Sequence, residues 1–409
     1  MKKLGVLIFV CLLTEILAEE TGVELLQIVF RHGARTPVVT YPNDKYQESY
    51  WKNYGGFGQL TPTGMQQHYE FGQFMRQRYS DFLNESYNRE RVFAISTDFD
   101  RTLMSAYSFL ASLYKPEGEQ IWNKNVSWQP IPVHIGDSKV FLVQENCPRY
   151  QELTSEVVKT PEFVELNNKY KPVLDIANKE SGFTDLDLLK LWKVADAVTI
   201  EKMFNLSLPD WVNKYYNEIK KSQDLGFNFD YFYTEMAKLA AGGIVNEMRK
   251  NIEKKIQTNS AQQLFLISSH DTYVASLTKL LNLTSHLKQP PFASSVILEL
   301  RKSKTSSQYY VQVYLKNNTL DEMIDFKEVN IYGCEKLCPL EDFMRITDSM
   351  VITDYAKECV KKNTKINLYN LTFISAVVFA LVISFVVSVF SIISCRYSLK
   401  RFQYRQGDL

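Results

Sequence analysis

Three apolar runs in this chain each stop abruptly at charged and polar residues, and that repeated layout constrains the fold more than any other feature. Val23–Phe30 runs into Arg31–Pro37, Arg91–Ser96 leads towards Arg101, and Gln263–Ser268 runs into Ser269, His270 and Asp271. Short apolar, branched runs without a polar face are expected of strands covered on both sides, as in parallel sheets. In open α/β sheets the carboxyl ends of the strands form the ligand crevice, so the three polar segments are expected to converge on one site.

The intervening segments read as helices. Thr61 and Thr63 are N-cap candidates with Pro62 suited to a first turn, and Met65, Tyr69, Phe74 and Tyr79 follow near one face. Thr102–Leu113 continues the pattern after the second strand. Residues 145–240 differ, being rich in Leu, Lys and Glu without strand-like runs. Helical periodicity around Thr184–Val198 and Phe229–Met248 predicts a helical cap there, inserted between two parts of an α/β core, 19–144 and 241–356. Ser295–Leu300 and Tyr309–Leu315 alternate like strands and are expected at the sheet edge. An aromatic content of 13% is too high for a disordered chain. With 47 Lys+Arg against 46 Asp+Glu there is no basic excess, which argues against nucleic acid as a partner.

The two ends read as secretory and membrane segments. Lys2 and Lys3 precede apolar Leu4–Leu13, and a polar stretch leads to Ala18, the layout of a signal peptide over residues 1–18. Thr372–Cys395 carries no charge and is long enough for one transmembrane helix. Arg396, Lys400, Arg401 and Arg405 follow it, so the positive-inside bias places the tail 396–409 in the cytosol. The rest becomes a type I ectodomain, extracellular or lumenal, on a short stalk at 357–371. Neither Tyr397 nor Tyr404 starts a tyrosine sorting signal, so plasma membrane and lysosome both stay open.

Cysteine usage fits that compartment. Setting aside Cys11 and Cys395 leaves Cys147, Cys334, Cys338 and Cys359, an even set that implies two disulfides and permits three pairings. Sequons at Asn84, Asn125, Asn205, Asn282, Asn317 and Asn370 fit a glycosylated ectodomain.

The polar strand ends carry phosphate chemistry. Arg31-His32-Gly33-Ala34-Arg35-Thr36-Pro37 sets an imidazole between two permanent cations, beside a glycine that lets backbone approach closely. Two guanidiniums can grip phosphoryl oxygens while the imidazole attacks phosphorus. His270 and Asp271 offer a further contact and a carboxyl that can protonate a leaving alkoxide. Asp271 is also placed to open a helix, where the dipole favours a carboxylate. Arg101 alone reads as a surface residue at a helix start. His68, His134 and His286 lack such partners and read as structural or surface histidines.

RHGARTP at Arg31–Pro37 and SHD at Ser269–Asp271 resemble the histidine acid phosphatases, and GQLTPTGMQQH at Gly58–His68 and STDFDRTLMSA at Ser96–Ala106 are similar to its prostatic and lysosomal branch. The resemblance implies a three-layer α/β/α sandwich of the histidine phosphatase and phosphoglycerate mutase type with an inserted helical cap. It assigns the nucleophile to His32, the proton donor to Asp271 and the phosphate pocket to Arg31, Arg35, Arg101 and His270. It further implies no metal or other cofactor, Cys147–Cys359 and Cys334–Cys338 pairs, and pairing of two copies as a homodimer. The expected activity is hydrolysis of small phosphate monoesters by a membrane-anchored acid phosphatase through a phosphohistidine. The competing readings are a narrow, phytase-like specificity, a phosphomutase, and an inactive ectodomain that binds phosphorylated ligands or a partner.

Overall fold

The computed structural model describes residues 21–137, 140–141, 146–284, 287–317, 326–362, 378–394 and 396. The expected signal segment, His286, Asn370 and the tail beyond Arg396 lie outside the described residues. By its internal contacts the chain divides after Cys359 into two units.

The first unit is built on a mixed sheet in the order β3-β2-β4-β1-β5-β6-β7, with β8 pairing the same strand, β6, as β7. Its strands are β1 (Thr21–Arg31), β2 (Val92–Ser96), β3 (His134–Ile135), β4 (Leu264–Ser269), β5 (Ser295–Ser303), β6 (Tyr309–Lys316), β7 (Phe326–Val329) and β8 (Cys338–Pro339). β2, β4 and β1 lie side by side and parallel, with Arg31 opposite Ser269 in register. The three polar strand ends are therefore neighbours, as the sequence requires.

Alternation along β1 makes the layers. Leu26, Ile28 and Phe30 face a cluster with Phe71 and Met75 of α1 (Pro62–Arg78) and Phe109 and Leu110 of α2 (Asp100–Leu113). Leu25 and Val29 face the other cluster, with Met248 and Ile252 of the long helix Thr234–Thr258 and Val274 and Leu277 of the helix Asp271–Leu280. Both sheet faces are covered, which is why β1 and β4 show no polar face.

Between β3 and β4 the chain forms α3 (Pro148–Val157), α4 (Pro161–Lys169), α5 (Lys171–Glu180), α6 (Trp192–Met203), α7 (Asp210–Asp230) and α8 (Thr234–Thr258), and α9 (Asp271–Leu280) follows β4. The helix expected over Thr184–Val198 starts eight residues later, at Trp192. The preceding segment is a turn tied by side chains: Asn178 Oδ1 accepts from Leu186 N at 2.8 Å and Asp187 Oδ1 from Lys190 N at 2.8 Å. Such local side-chain bonds compete with helix formation. The Phe229–Met248 pattern is likewise split between α7 and α8, with the break at 231–233.

The edge expected for Ser295–Leu300 and Tyr309–Leu315 is corrected, since β6 pairs with β5 on one side and with β7 and β8 on the other. β5 lies between β1 and β6, hydrogen-bonded on both sides. Glu299 on β5 is buried, accepting from Tyr79 Oη at 2.6 Å and ion-paired with Arg301.

Cys147 is bonded to Cys359 and Cys334 to Cys338, which selects one of the three pairings. In the second unit, residues 378–394 are helical, but among the described residues no helix is long and apolar enough to cross a membrane. Asn84, Asn125, Asn205, Asn282 and Asn317 are all exposed.

Because Cys147–Cys359 closes a loop with a sequence separation of 212, the chain-entropy relation gives it about 5 kcal/mol. The paired variant Cys147→Ser, Cys359→Ser should lose stability of that order in chemical denaturation, and an unchanged midpoint would contradict the assignment.

Candidate active site

The segment after β1 is fixed by backbone contacts before any catalytic geometry is considered. His32 N bonds Ser269 O at 2.9 Å, and Ala293 N bonds His32 O at 3.1 Å. Ala293 holds a left-handed φ of 56°, costly for a residue with a Cβ, and is pinned by that bond and by Lys316 Nζ on its carbonyl at 3.0 Å.

On the other side the loop rests on the start of α1. Thr61 caps that helix through Gly64 N and also donates to Ala34 O at 2.9 Å, while Gln67 Oε1 accepts from Ala34 N at 2.7 Å. A Cβ on Gly33 would lie 2.2 Å from Gly64 O, so backbone packs on backbone and only glycine fits. His68 is fully buried and pushed down to about 3, chiefly by burial and then by Lys316. It is thus neutral, with Nε2 3.0 Å from the Arg31 carbonyl. The sequence reads His68 as a structural or surface histidine; it is buried and braces this loop.

His32 is buried with Nδ1 2.8 Å from Gly33 O. A carbonyl only accepts, so Nδ1 carries the proton and Nε2 the lone pair. Burial pushes the imidazole pKa well below its usual value, and Arg31, Arg35, His270 and Arg101 add to that.

The three cations are each held differently. Arg31 donates to Pro290 O at 2.5 Å, pairs with Asp271 at 2.9 Å and lies 4.2 Å over the Phe292 ring. Arg35 makes a two-pronged pair with Asp196, both bonds 3.0 Å, at the buried face of α6. Arg101, near the start of α2, lies 4.6 Å over Phe99 and 3.4 Å from His270 Nδ1. Each guanidinium keeps a buried Nε–H that has no partner among the described residues. Three such donors around one imidazole are costly unless an anion is the intended partner.

His270 stands edge-on to His32, with ring centroids 5.5 Å apart. Since Arg101 only donates, His270 Nδ1 accepts and Nε2–H donates to Thr97 Oγ1 at 3.0 Å. Burial, then Arg101, pushes His270 down to about 3. Asp271 opens α9, its Oδ1 accepting from Thr272 N at 3.0 Å and its Oδ2 from Gln289 Nε2 at 3.2 Å. Burial alone would raise its pKa, but Arg31 and Arg35, with His270 and the Gln289 amide, overcome that and hold it below the usual carboxylate range.

All six site residues named by the sequence thus meet in one place. Asp196, Gln289 and Phe292 were missed. Asp196 had a signal, a charge set inside the apolar helical stretch Val194–Val198, whereas Gln289 and Phe292 sit in an irregular segment with none. Among the described residues, no group of three or more His, Cys, Asp or Glu side chains is arranged to hold a metal ion.

Residues 22–316 match the model of the histidine phosphatase superfamily (branch 2). The chain belongs to that family. It is 39% identical to the prostatic acid phosphatase of Homo sapiens over 88% of this chain and 92% of the relative. It is equally 39% identical to the lysosomal acid phosphatase of Homo sapiens, over 83% and 80% of the two chains. Among solved structures, the Citrobacter braakii phytase superposes with a TM-score of 0.62 at 18% identity, covering 83% of this chain and 99% of that one.

The Arg35–Asp196 pair yields a direct test. Asp196→Asn keeps the shape but leaves a buried guanidinium without its counter-charge, so kcat/KM on a simple aryl phosphate should fall about tenfold to a hundredfold. Activity at the wild-type level would show that Asp196 does not position Arg35.

Proposed function

We propose that this chain is a membrane-anchored acid phosphatase that hydrolyses small phosphate monoesters through a covalent phosphohistidine at His32. The observation that carries the reading is the His32 imidazole with its lone pair on Nε2, ringed by three guanidiniums whose buried Nε–H groups lack partners. The phosphoryl oxygens are gripped by Arg31, Arg35 and Arg101, with His270 beside them, which neutralises the charge that develops in transfer.

Nε2 attacks phosphorus, the bond to the ester oxygen breaks, and the leaving alkoxide takes the proton of Asp271. A water then attacks the phosphohistidine, giving its proton to the Asp271 carboxylate, and the P–N bond breaks to release phosphate and free His32. Arg31 links the two roles, since its 2.9 Å pair with Asp271 competes with its grip on phosphate. Bound phosphate draws Arg31 away from the carboxylate and so favours protonated Asp271.

The pH dependence follows in sign. His32 stays unprotonated into acid because its pKa is depressed by burial and by the cations. Asp271 is held low once burial is outweighed, so its protonated fraction falls as pH rises. Activity should therefore be greatest in acid and decline towards neutrality.

The apolar segment Thr372–Cys395 with its basic flank supports a single membrane anchor, and the two disulfides and five exposed sequon asparagines support an extracellular or lumenal catalytic unit with N-glycans. Two copies would pair along the β3 edge, where His134 and Phe93 stack at 5.2 Å and Phe93 and Ile135 are exposed.

The purified full chain, assayed between pH 4 and 9 on an aryl phosphate, should turn over fastest in acid, and His32→Ala should abolish turnover. A maximum near pH 8, or an active His32→Ala, would sink the reading. Gln289→Leu removes a donor to the ionised Asp271 carboxylate, so the alkaline limb of the profile should move to higher pH. An unmoved limb would mean that Asp271 is not the group being titrated.

A further inference from the structure

One wall of the pocket is a short strap of irregular chain, residues 289–294, that leads into β5. Gln289 Nε2 donates to Asp271 Oδ2 at 3.2 Å, and Pro290 O accepts from Arg31 Nη1 at 2.5 Å. The Phe292 ring lies 4.2 Å under the Arg31 guanidinium, and its centroid is 5.8 Å from that of His32. Two backbone bonds close the strap onto the nucleophile segment, Ala293 N to His32 O at 3.1 Å and Arg31 N to Ser294 O at 2.9 Å.

The strap is built on a turn that its own sequence disfavours. Ser294 N donates to Pro291 O at 3.1 Å, which puts Ala293 in the third place of a four-residue turn with φ 56°. A positive φ at that place suits glycine or asparagine and strains alanine. Lys316 Nζ holds the strained residue from outside, donating to Ala293 O at 3.0 Å.

Lys316 is well placed for this and costly to keep. It is the last residue of β6, in register with Ser295 at the start of β5, so its stem begins beside the strap. Only 5% of it is exposed, and its ammonium lies 5.3 Å from the centre of the Phe71 ring. Burial pushes its pKa down to about 8, with Glu70 opposing, so in acid it remains charged. An apolar side chain would fill a buried strand end at less cost, whereas an ammonium gives the carbonyl a charge-assisted bond.

We infer that Lys316 is a positioning residue for phosphoryl transfer: by holding the Ala293 carbonyl it fixes the turn that sets Arg31 and His32 around the phosphate. It touches neither the substrate nor the reacting atoms. The inference rests on the phosphatase reading above and extends it to a residue two strands away from the nucleophile. Without the ammonium the turn relaxes from its left-handed form, and the N–H on His32 O and the two supports of Arg31 move with it.

The test uses the full chain in detergent at acid pH, with kcat/KM on an aryl phosphate and Kd for inorganic phosphate by calorimetry. Lys316→Met should lower kcat/KM about tenfold to a hundredfold and raise the phosphate Kd about tenfold, and Lys316→Arg should retain most of both. The double variant Lys316→Met, Ala293→Gly should recover most of the loss, because glycine holds a positive φ unaided. Unchanged values in Lys316→Met, or a double variant as impaired as the single one, overturn the role. If Lys316→Met does not fold, the double variant decides alone: values near wild type uphold the role and a tenfold loss overturns it. A wild type without turnover overturns the phosphatase reading instead, and the phosphate Kd still decides the role of Lys316.

Discussion

Crowding three guanidiniums around one neutral imidazole is the constraint on which the rest of this structure depends. Like charges this close, largely withdrawn from water, repel strongly and are tolerated only where compensation is built in. Compensation comes from Asp196 on α6 for Arg35 and from Asp271 on α9 for Arg31, with the Phe292 ring under Arg31 and Phe99 under Arg101. Burial first, and then the same field, keep His32 unprotonated, while the cations outweigh burial to hold Asp271 low, so one arrangement supplies both the nucleophile and the acid dependence of its partner.

Holding that arrangement requires backbone as well as charge. The parallel register of β2, β4 and β1 brings the three polar ends together, and the Gly33–Gly64 approach locks the nucleophile loop onto α1. Thr61, Gln67 and His68 then use their polar groups on the loop rather than on solvent. The segment Gly58–His68 is thus tied to the site by contacts to the backbone of Arg31 and Ala34, although none of these three side chains is itself part of the pocket.

Much of this was legible from one chain. Strands covered on both faces leave continuous apolar runs, and their abrupt polar ends are visible without any structure, which is why His32, Arg35, His270 and Asp271 stood out. Arg101 needed a resemblance, because a single arginine at a helix start carries no pattern. Gln289 and Phe292 come from an irregular segment, and their roles exist only once the chain has folded back from β5 to β1. The misjudged edge at Ser295–Leu300 has the same origin: Glu299 is polar yet buried by Tyr79 and Arg301, which come from elsewhere on the chain or two residues on. Long-range pairing of polar groups is the part of a fold that periodicity cannot show. The cap illustrates it too, since Asp196 sits on a helix whose pattern does not reveal the pocket beside it.

The central claim is that phosphorus becomes bonded to His32 through Nε2, because Nδ1 is tied to the Gly33 carbonyl. A single-turnover reaction of the full chain with an aryl phosphate, quenched in base and mapped by mass spectrometry and phosphorus NMR, tests it directly. The account predicts phosphate on Nε2 of His32, stable in alkali and released in acid. Phosphate bonded to Nδ1 or to another residue, or turnover with no phosphorylated protein under conditions that trap phosphohistidine, would contradict it.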